Sequence, residues 1–189
     1  MNTKHVSLGD RYAEITVIIV TVIALVIGWF YKSSIENASL PFESQGITAQ
    51  TPKGWLQSSS DAELLRTIDI NSTGFGATYV IHTVAITSEA TTSEVARVVA
   101  LDHAQDLLGF RVLDQRAVKV YGRDAYEISY VFVESNPDVT HNQIPSVVRG
   151  VDYVFLNGES AVVVSFQADE KNYDLDFKRF ELFLKSLRF

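Results

Sequence analysis

The residues of this 189-residue chain best suited to chemistry are three of its four histidines and the acidic groups near them. His82 falls in a predicted strand, His103 in a predicted helix and His141 in a predicted loop. No two of them have the short spacing of a metal-binding motif, and scattered histidines are more often surface or hydrogen-bonded core groups. Asp102 precedes His103, but adjacent helical residues do not face one another, and no activated serine stands out. We therefore predict no catalytic residue, no metal site and no cofactor site.

Two glycine-containing stretches match catalytic or phosphate-binding motifs only in part. "NGESA" has Val162 where a nucleophile elbow needs its second glycine. "STGFGATY" supplies Gly74 and Gly76 but no third glycine at position 79, and it leads into a predicted strand rather than a helix. We interpret the second stretch as a turn or bulge that needs glycine.

The polar segment "ESNPDVTHNQIP", between two predicted strands, is the best candidate for a functional contact. A long polar loop on a rigid sheet is where binding residues commonly lie. Its oxygen-bearing side chains could hold Ca²⁺, although they do not match an EF-hand loop, and a solvated connection is the third possibility. The predicted partner-contact residues are Glu134, Asn136, Asp138, His141 and Asn142.

The elements that must position these residues follow from hydrophobic periodicity. Stretches rich in β-branched and aromatic residues predict three strands, a helix, four strands and a closing helix. The first helix, over 91–110, has a capping-box pair in Thr91 and Glu94, and its apolar residues recur at helical spacing. Those apolar residues are Val95, Val98, Leu101, Ala104 and Leu108. Asn157-Gly158 marks a hairpin between the last two strands.

The closing helix, within 174–189, places five apolar residues on one side and acidic residues in its first turn. The apolar residues are Phe177, Phe180, Phe183, Leu184 and Leu187. The element order predicts an α+β fold, with a mainly antiparallel sheet of about six to seven strands covered by helices.

Residues 46–189 resemble the PsbP-like family, whose fold is shared with a Ran-binding nuclear import factor and with many bacterial domains. The stretches that carry the resemblance are "ITAQTPKGW", "VKVYGRDAYEISYVF", "VVRGVDYVFLNGESAVVVSFQAD" and "FKRFELFLKSLRF". The resemblance implies an α/β/α sandwich and a non-enzymatic accessory role, as PsbP has on the oxygen-evolving side of photosystem II. This chain departs from the family in keeping an apolar amino-terminal helix and in having no lipoprotein cysteine, so it resembles a membrane-anchored bacterial-type member.

The stretch "ITVIIVTVIALVIGWFY", residues 15–31, has no charged residue and is just long enough to span a bilayer as a helix. Side chains that settle at the membrane surface flank it. These membrane-interface residues are Tyr12, Trp29, Phe30, Tyr31 and Lys32. Thr21, Ala24 and Gly28 form one small-residue face on which another helix could pack.

The predicted domains are a tail over 1–14, a transmembrane helix over 15–31, a linker over 32–45 and a PsbP-like head over 46–189.

Three alternatives to an uncleaved anchor remain open. A cleaved signal peptide would have a shorter apolar core and small residues before the cut, where Glu36 stands. A buried helix of a soluble protein is the second. The third is a type IV pilin-like leader, for which Gly9 and Glu14 match but Asp10 does not. Lys4 and Arg11 before the span favour a cytoplasmic amino terminus and an extracytoplasmic head at the cell membrane.

The net charge of the chain limits the classes of partner that we expect. The net charge is −7 and charges up to Tyr31 cancel, so the head is acidic and nucleic acid is not an expected partner. The absence of cysteine excludes disulfides and thiolate metal sites.

We predict a non-catalytic single-pass accessory or scaffolding subunit that binds other membrane-protein subunits and contacts the lipid bilayer through its helix. A membrane-anchored small-ligand-binding or sensor module is the alternative, and a pilin-like surface protein is the third.

Overall fold

The computed structural model describes residues 8–36, 38–72, 74–134 and 145–189. Its internal contacts divide the chain into two compact units, with the boundary after Ala38. The helices are α1 Leu8–Glu36, α2 Thr92–Asp106 and α3 Tyr173–Ser186. The strands are β1 Ser39–Ser44, β2 Ile47–Pro52, β3 Leu56–Ser58, β4 Leu65–Ile68, β5 Thr78–Ala85, β6 Arg111–Val120, β7 Arg123–Glu134, β8 Ser146–Asn157 and β9 Ser160–Asp169.

The first unit is the single helix α1, which contains a stretch long and apolar enough to cross a membrane. That stretch runs from Glu14 to Lys32, with a mean hydropathy of 2.2, and none of it is buried. The hydroxyls of Thr16 and Thr21 each donate to the backbone carbonyl four residues earlier, at 2.8 Å. Their polar groups are therefore satisfied within the helix, as an apolar environment requires.

The structure differs from the predicted linker over 32–45, because most of that range is helix or strand. Helix α1 continues to Glu36, and Ser39–Ser44 forms strand β1, so the helix and the first strand are only two residues apart. Pro41 had indicated a linker, but β1 pairs with β2 alone, and proline is tolerated on such an edge strand. The hairpin turns at Gln45 and Gly46, which both have positive φ, as a tight two-residue turn demands. The predicted tail over 1–14 likewise overlaps α1, which begins at Leu8.

The second unit contains a seven-stranded sheet in the order β3-β4-β5-β9-β8-β7-β6, in which every pair of neighbouring strands is antiparallel. This confirms the predicted α+β fold class. All seven predicted strands are present, as are both predicted helices of this unit. Strands β1 and β3 were not predicted. Strand β3 has only three residues, all exposed, so it carries no hydrophobic signal.

Side chains alternate between the two faces of the sheet, and each face has its own apolar cluster. Helix α3 packs on one face, against β9 and β2, and buries Phe180 and Phe183 as predicted. Helix α2 packs on the other face, against β6, β7 and β8. The α2 face buries Val154 and Val163 from the two central strands.

The side of α2 that faces the sheet differs from the predicted one. Val95, Ala96 and Val99 are buried, whereas Val98 and Leu101 are exposed to solvent. The other two members of the predicted stripe, Ala104 and Leu108, are also exposed. Val95, Val99 and His103 follow one another at a spacing of four residues and face the sheet. The polar side chain of His103 therefore lies at a position where a helical repeat predicts an apolar residue.

Candidate functional site

The inner end of α2 meets the sheet through a buried polar cluster. The Nε2 atom of His103 lies 2.8 Å from Oδ2 of Asp152 on β8, a carboxylate with no solvent exposure. The Tyr130 hydroxyl on β7 donates to the other carboxylate oxygen at 3.1 Å, and the Gln167 side-chain amide on β9 donates to that hydroxyl at 3.1 Å. We call these four residues the Asp152 cluster. They link one helix and three strands through side chains alone.

The register of the central strands explains why these side chains converge. Asp152 pairs with Ser165 on one side and Ile128 on the other, and Gly150, two residues earlier, pairs with Tyr130 and Gln167. A Cβ on Gly150 would overlap the Tyr130 ring. Glycine is therefore required here, because its missing side chain lets the ring lie across β8 and place its hydroxyl between Asp152 and Gln167.

Aromatic rings surround the His103 imidazole. The centroid of the Tyr130 ring is 5.0 Å from that of His103, and the centroid of the Phe110 ring is 5.7 Å from it. Only 20% of the His103 side chain is exposed. The hydrogen bond to Asp152 thus lies in a region of low dielectric, where charge interactions are stronger than in water.

A second histidine faces the same side of the sheet. His82 on β5 pairs with Val163, which pairs with Val154, two residues along β8 from Asp152. Residues two apart in a strand point to the same face, so His82 and Asp152 share the α2 face. His82 is partly buried, and its charge interacts with those of Asp152 and His103.

The two histidines respond to this environment in opposite directions. Burial alone lowers the pKa of His103, but its hydrogen bond to Asp152 and the negative charge of that carboxylate reverse the effect, and the net pKa is raised above the ordinary 6.5. Burial lowers the pKa of His82, and the attraction of Asp152 does not offset it. Burial and the Asp152 charge raise the pKa of the Tyr130 hydroxyl, so it stays protonated and acts as a donor.

The cluster can hold a proton, and no reacting partner for it is found among the described residues. A histidine and an aspartate at 2.8 Å match two members of a catalytic triad, which also needs a nucleophile on the second ring nitrogen. Within the described part of the chain, the side-chain hydrogen bond of His103 goes to Asp152 and to no serine or threonine. Those same residues include no group of three metal-ligating side chains. The arrangement joins α2 to the sheet through a titratable group.

Sequence reasoning missed this cluster because its members are far apart along the chain. Asp102 is the sequence neighbour of His103, whereas the partner Asp152 is 49 residues away and on another element. A usable signal was present in "VVRGVDYVFL", since an acidic residue at an inward position of a buried strand needs a donor or a cation. The sequence does not state which residue supplies it.

The predicted site residues are distributed as follows. Tyr12, Trp29, Phe30 and Tyr31 on α1 are exposed, as is Lys32. Thr21, Ala24 and Gly28 are exposed on one side of α1, and a Cβ added to Gly28 would meet nothing within 4 Å. Glu134 is the exposed last residue of β7. Asn136, Asp138, His141 and Asn142 lie outside the described residues.

A cavity of about 330 Å³ lies on the opposite face, between α3 and the end of β6. Glu127, Tyr153 and Phe177 contribute to its lining. The Glu127 carboxylate accepts a hydrogen bond of 2.7 Å from Arg116, so its charge is balanced. The cavity therefore has the size of a small-ligand site.

No family model matches this chain, and no curated protein matches it. Similar solved structures do exist. Cyanobacterial PsbP (CyanoP) from Synechocystis is similar with a TM-score of 0.59 and 15% identity, over 80% of this chain and 92% of that one. The Ran-binding protein Mog1p from Saccharomyces cerevisiae has a TM-score of 0.51 and 10% identity, over 80% and 95%. LpqN, involved in cell envelope biogenesis of Mycobacterium tuberculosis, has a TM-score of 0.52 and 15% identity, over 79% and 89%. The head has a PsbP-like fold, as its sequence predicted.

Proposed function

We propose that this chain is a single-pass membrane protein whose PsbP-like head binds a neighbouring protein of a membrane complex and performs no catalysis. The observation that carries the proposal is the exposed apolar helix α1. No part of its stretch from Glu14 to Lys32 is buried within the described residues. The core helix of a soluble protein, in contrast, would be mostly buried. A bilayer would remove that apolar surface from water.

The topology follows from charge and from the ends of the span. Lys4 and Arg11 favour a cytoplasmic amino terminus, and the head would then lie outside the cytoplasm. The exposed rings of Trp29 and Tyr31 would lie at the outer surface of the membrane. Cleavage as a signal sequence is the competing outcome, and the mass of the mature protein separates the two.

The outer side of α2 is the surface of the head that we assign to the partner. Val98 and Leu101 lie three residues apart, on adjacent turns of the helix, and 59% of Leu101 is exposed. The proposed partner is another extracytoplasmic protein domain with an apolar surface, because burial of Val98 and Leu101 against such a surface would gain stability. The fold supports a binding role, since the similar yeast protein is named for binding Ran.

Two further contacts belong to the same proposal. The small-residue face of Thr21, Ala24 and Gly28 would pack against a helix of a partner subunit within the membrane. The polar segment of the sequence from Glu134 to Asn142 would contact the extracytoplasmic part of the complex.

A photo-crosslinking amino acid at position 101 tests the proposed surface in intact membranes. We expect irradiation to join the protein to one partner, giving a discrete heavier product, because the side chain would lie inside the interface. The matched control is Leu182 on α3, which is similarly exposed but lies on the opposite face of the head. Mass spectrometry of the product identifies the partner. Equal products at both positions, or none at position 101, would contradict the assignment.

The ligand-binding alternative has one observation in its favour, the cavity beside α3. Its volume is at the lower end of those that hold small molecules. A compound that binds there would raise the melting temperature of the wild-type protein and not that of a Val118→Trp variant, in which the larger side chain fills the cavity.

A further inference from the structure

We propose that His103 and His82 make the seating of α2 on the sheet sensitive to pH near neutrality, with α2 held most firmly when His103 is protonated and His82 is neutral. The device consists of a carboxylate buried at the centre of the sheet, a histidine from α2 bonded to it and a second histidine on β5. It requires neither the membrane nor a partner. It would determine how stably α2, with its exposed Val98 and Leu101, is held on the sheet.

The first part of the device is the bond between His103 and Asp152. Asp152 has no solvent exposure, so its negative charge needs a cation or several donors. Tyr130 supplies one neutral donor, and protonated His103 supplies the positive charge at 2.8 Å. When His103 loses its proton, the hydrogen bond can persist, but the carboxylate then lies buried without a balancing charge. The contact between α2 and the sheet weakens.

The second part is His82, which acts in the opposite sense. It shares the α2 face with Asp152, and burial is the main cause of its lowered pKa; the Asp152 charge opposes that effect, and the positive charge of His103 adds to it. A proton on His82 would put a positive charge into the partly buried space between α2 and the sheet. Protonation of His82 therefore disfavours the closed packing of this face from the acidic side.

The other charged groups that act on the two histidines, within the described residues, are either paired or exposed. Arg66 on β4 is paired with Glu63, with 2.7 Å between its Nε atom and the carboxylate, so this pair adds little net charge. Asp102 and Asp106 lie on α2 itself and are exposed. Among the described residues, the charged or titratable groups that act on the two histidines or on their partners are Asp152, Tyr130, Tyr173, Glu63, Arg66, Asp102 and Asp106.

The direction of the pH response follows from the two pKa shifts. The pKa of His103 is raised in the folded protein, so its stabilisation is complete below the ordinary value of 6.5 and is lost as pH rises through the raised pKa. The pKa of His82 is lowered, so the folded state loses stability as pH falls below 6.5 toward the lowered pKa. Together they predict a maximum in the seating of α2 close to pH 6.5.

Amide hydrogen exchange of the full-length protein in detergent tests the device between about pH 5.5 and 8.5, with rates corrected for the intrinsic effect of pH. We expect the corrected exchange of α2 amides to be slowest near pH 6.5 and to rise by about twofold or more on each side. Helix α3, on the opposite face, serves as the internal control and should change little. Equal changes in α2 and α3, or a flat profile for α2, would overturn the proposal.

Single variants separate the two limbs of the profile. His103→Gln should abolish the rise on the alkaline side, and His82→Gln should abolish the rise on the acidic side. Asp152→Asn, which keeps the shape of the side chain and removes its charge, should flatten the profile on the alkaline side. If either histidine variant leaves both limbs intact, that histidine has no part in the response and the proposed device is wrong.

Discussion

Phe180→Ala is expected to lower the free energy of unfolding of the head by about 3–5 kcal/mol, since truncating a buried aromatic side chain removes apolar burial and leaves a cavity. Phe180 on α3 has no solvent exposure, and its ring centroid lies 4.9 Å from that of Phe166 and 5.2 Å from that of Tyr79. Urea unfolding of the full-length protein in detergent, followed by circular dichroism, measures the change. For a domain of this size the melting temperature should fall by roughly 2–4 °C per kcal/mol.

The matched control is Leu182→Ala on the same helix. More than half of Leu182 is exposed, so its truncation should change the free energy of unfolding by less than about 0.5 kcal/mol. A loss at Leu182 equal to that at Phe180 would mean that α3 packs with a different side toward the sheet.

Gly150→Ala is expected to lower the free energy of unfolding by about 2–4 kcal/mol, although it adds only one methyl group. That methyl would overlap the Tyr130 ring, which is itself fully buried and cannot move into solvent. Overpacking of this kind costs about 1–3 kcal/mol, and displacement of the ring would also break the bonds from its hydroxyl to Asp152 and Gln167. Urea unfolding measures the cost.

A double-mutant cycle with Tyr130→Leu isolates the cause. Leucine is smaller than tyrosine and lacks the ring atoms that meet the new methyl group. The cost of Gly150→Ala should therefore be smaller in the Tyr130→Leu background than in the wild type. Additive costs would show that glycine is needed at position 150 for another reason.

The fold was largely predictable because its signals are local. Partial alternation in β7, the near-continuous apolar runs of β8 and β9 and the phenylalanines of α3 are each signals within one element. Strand β1 was missed because Pro41 and several polar residues conceal it, and it is stable only through pairing with β2. Local periodicity also misjudged the buried side of α2, since Val98 and Leu101 fit a helical repeat that turns toward solvent.

The candidate site was not predictable in the same way, because it is a property of tertiary pairing. His103, Tyr130 and Asp152 lie on α2, β7 and β8, and only the register of the sheet brings them together. The role of Gly150 also depends on that register. Two scattered histidines gave no sign in the sequence that one carboxylate acts on both.

Affinity capture of the tagged full-length protein from gently solubilised membranes, with mass spectrometry of the co-purifying chains, tests the central claim most directly. A Gly28→Leu variant should be compared with Ile27→Leu, a neighbouring change on α1 that leaves the small-residue face intact. We predict that the wild type and Ile27→Leu recover a defined set of membrane-protein subunits and that Gly28→Leu recovers less of it. Recovery of the chain alone from all three samples would contradict the proposal that it is an accessory subunit of a membrane complex.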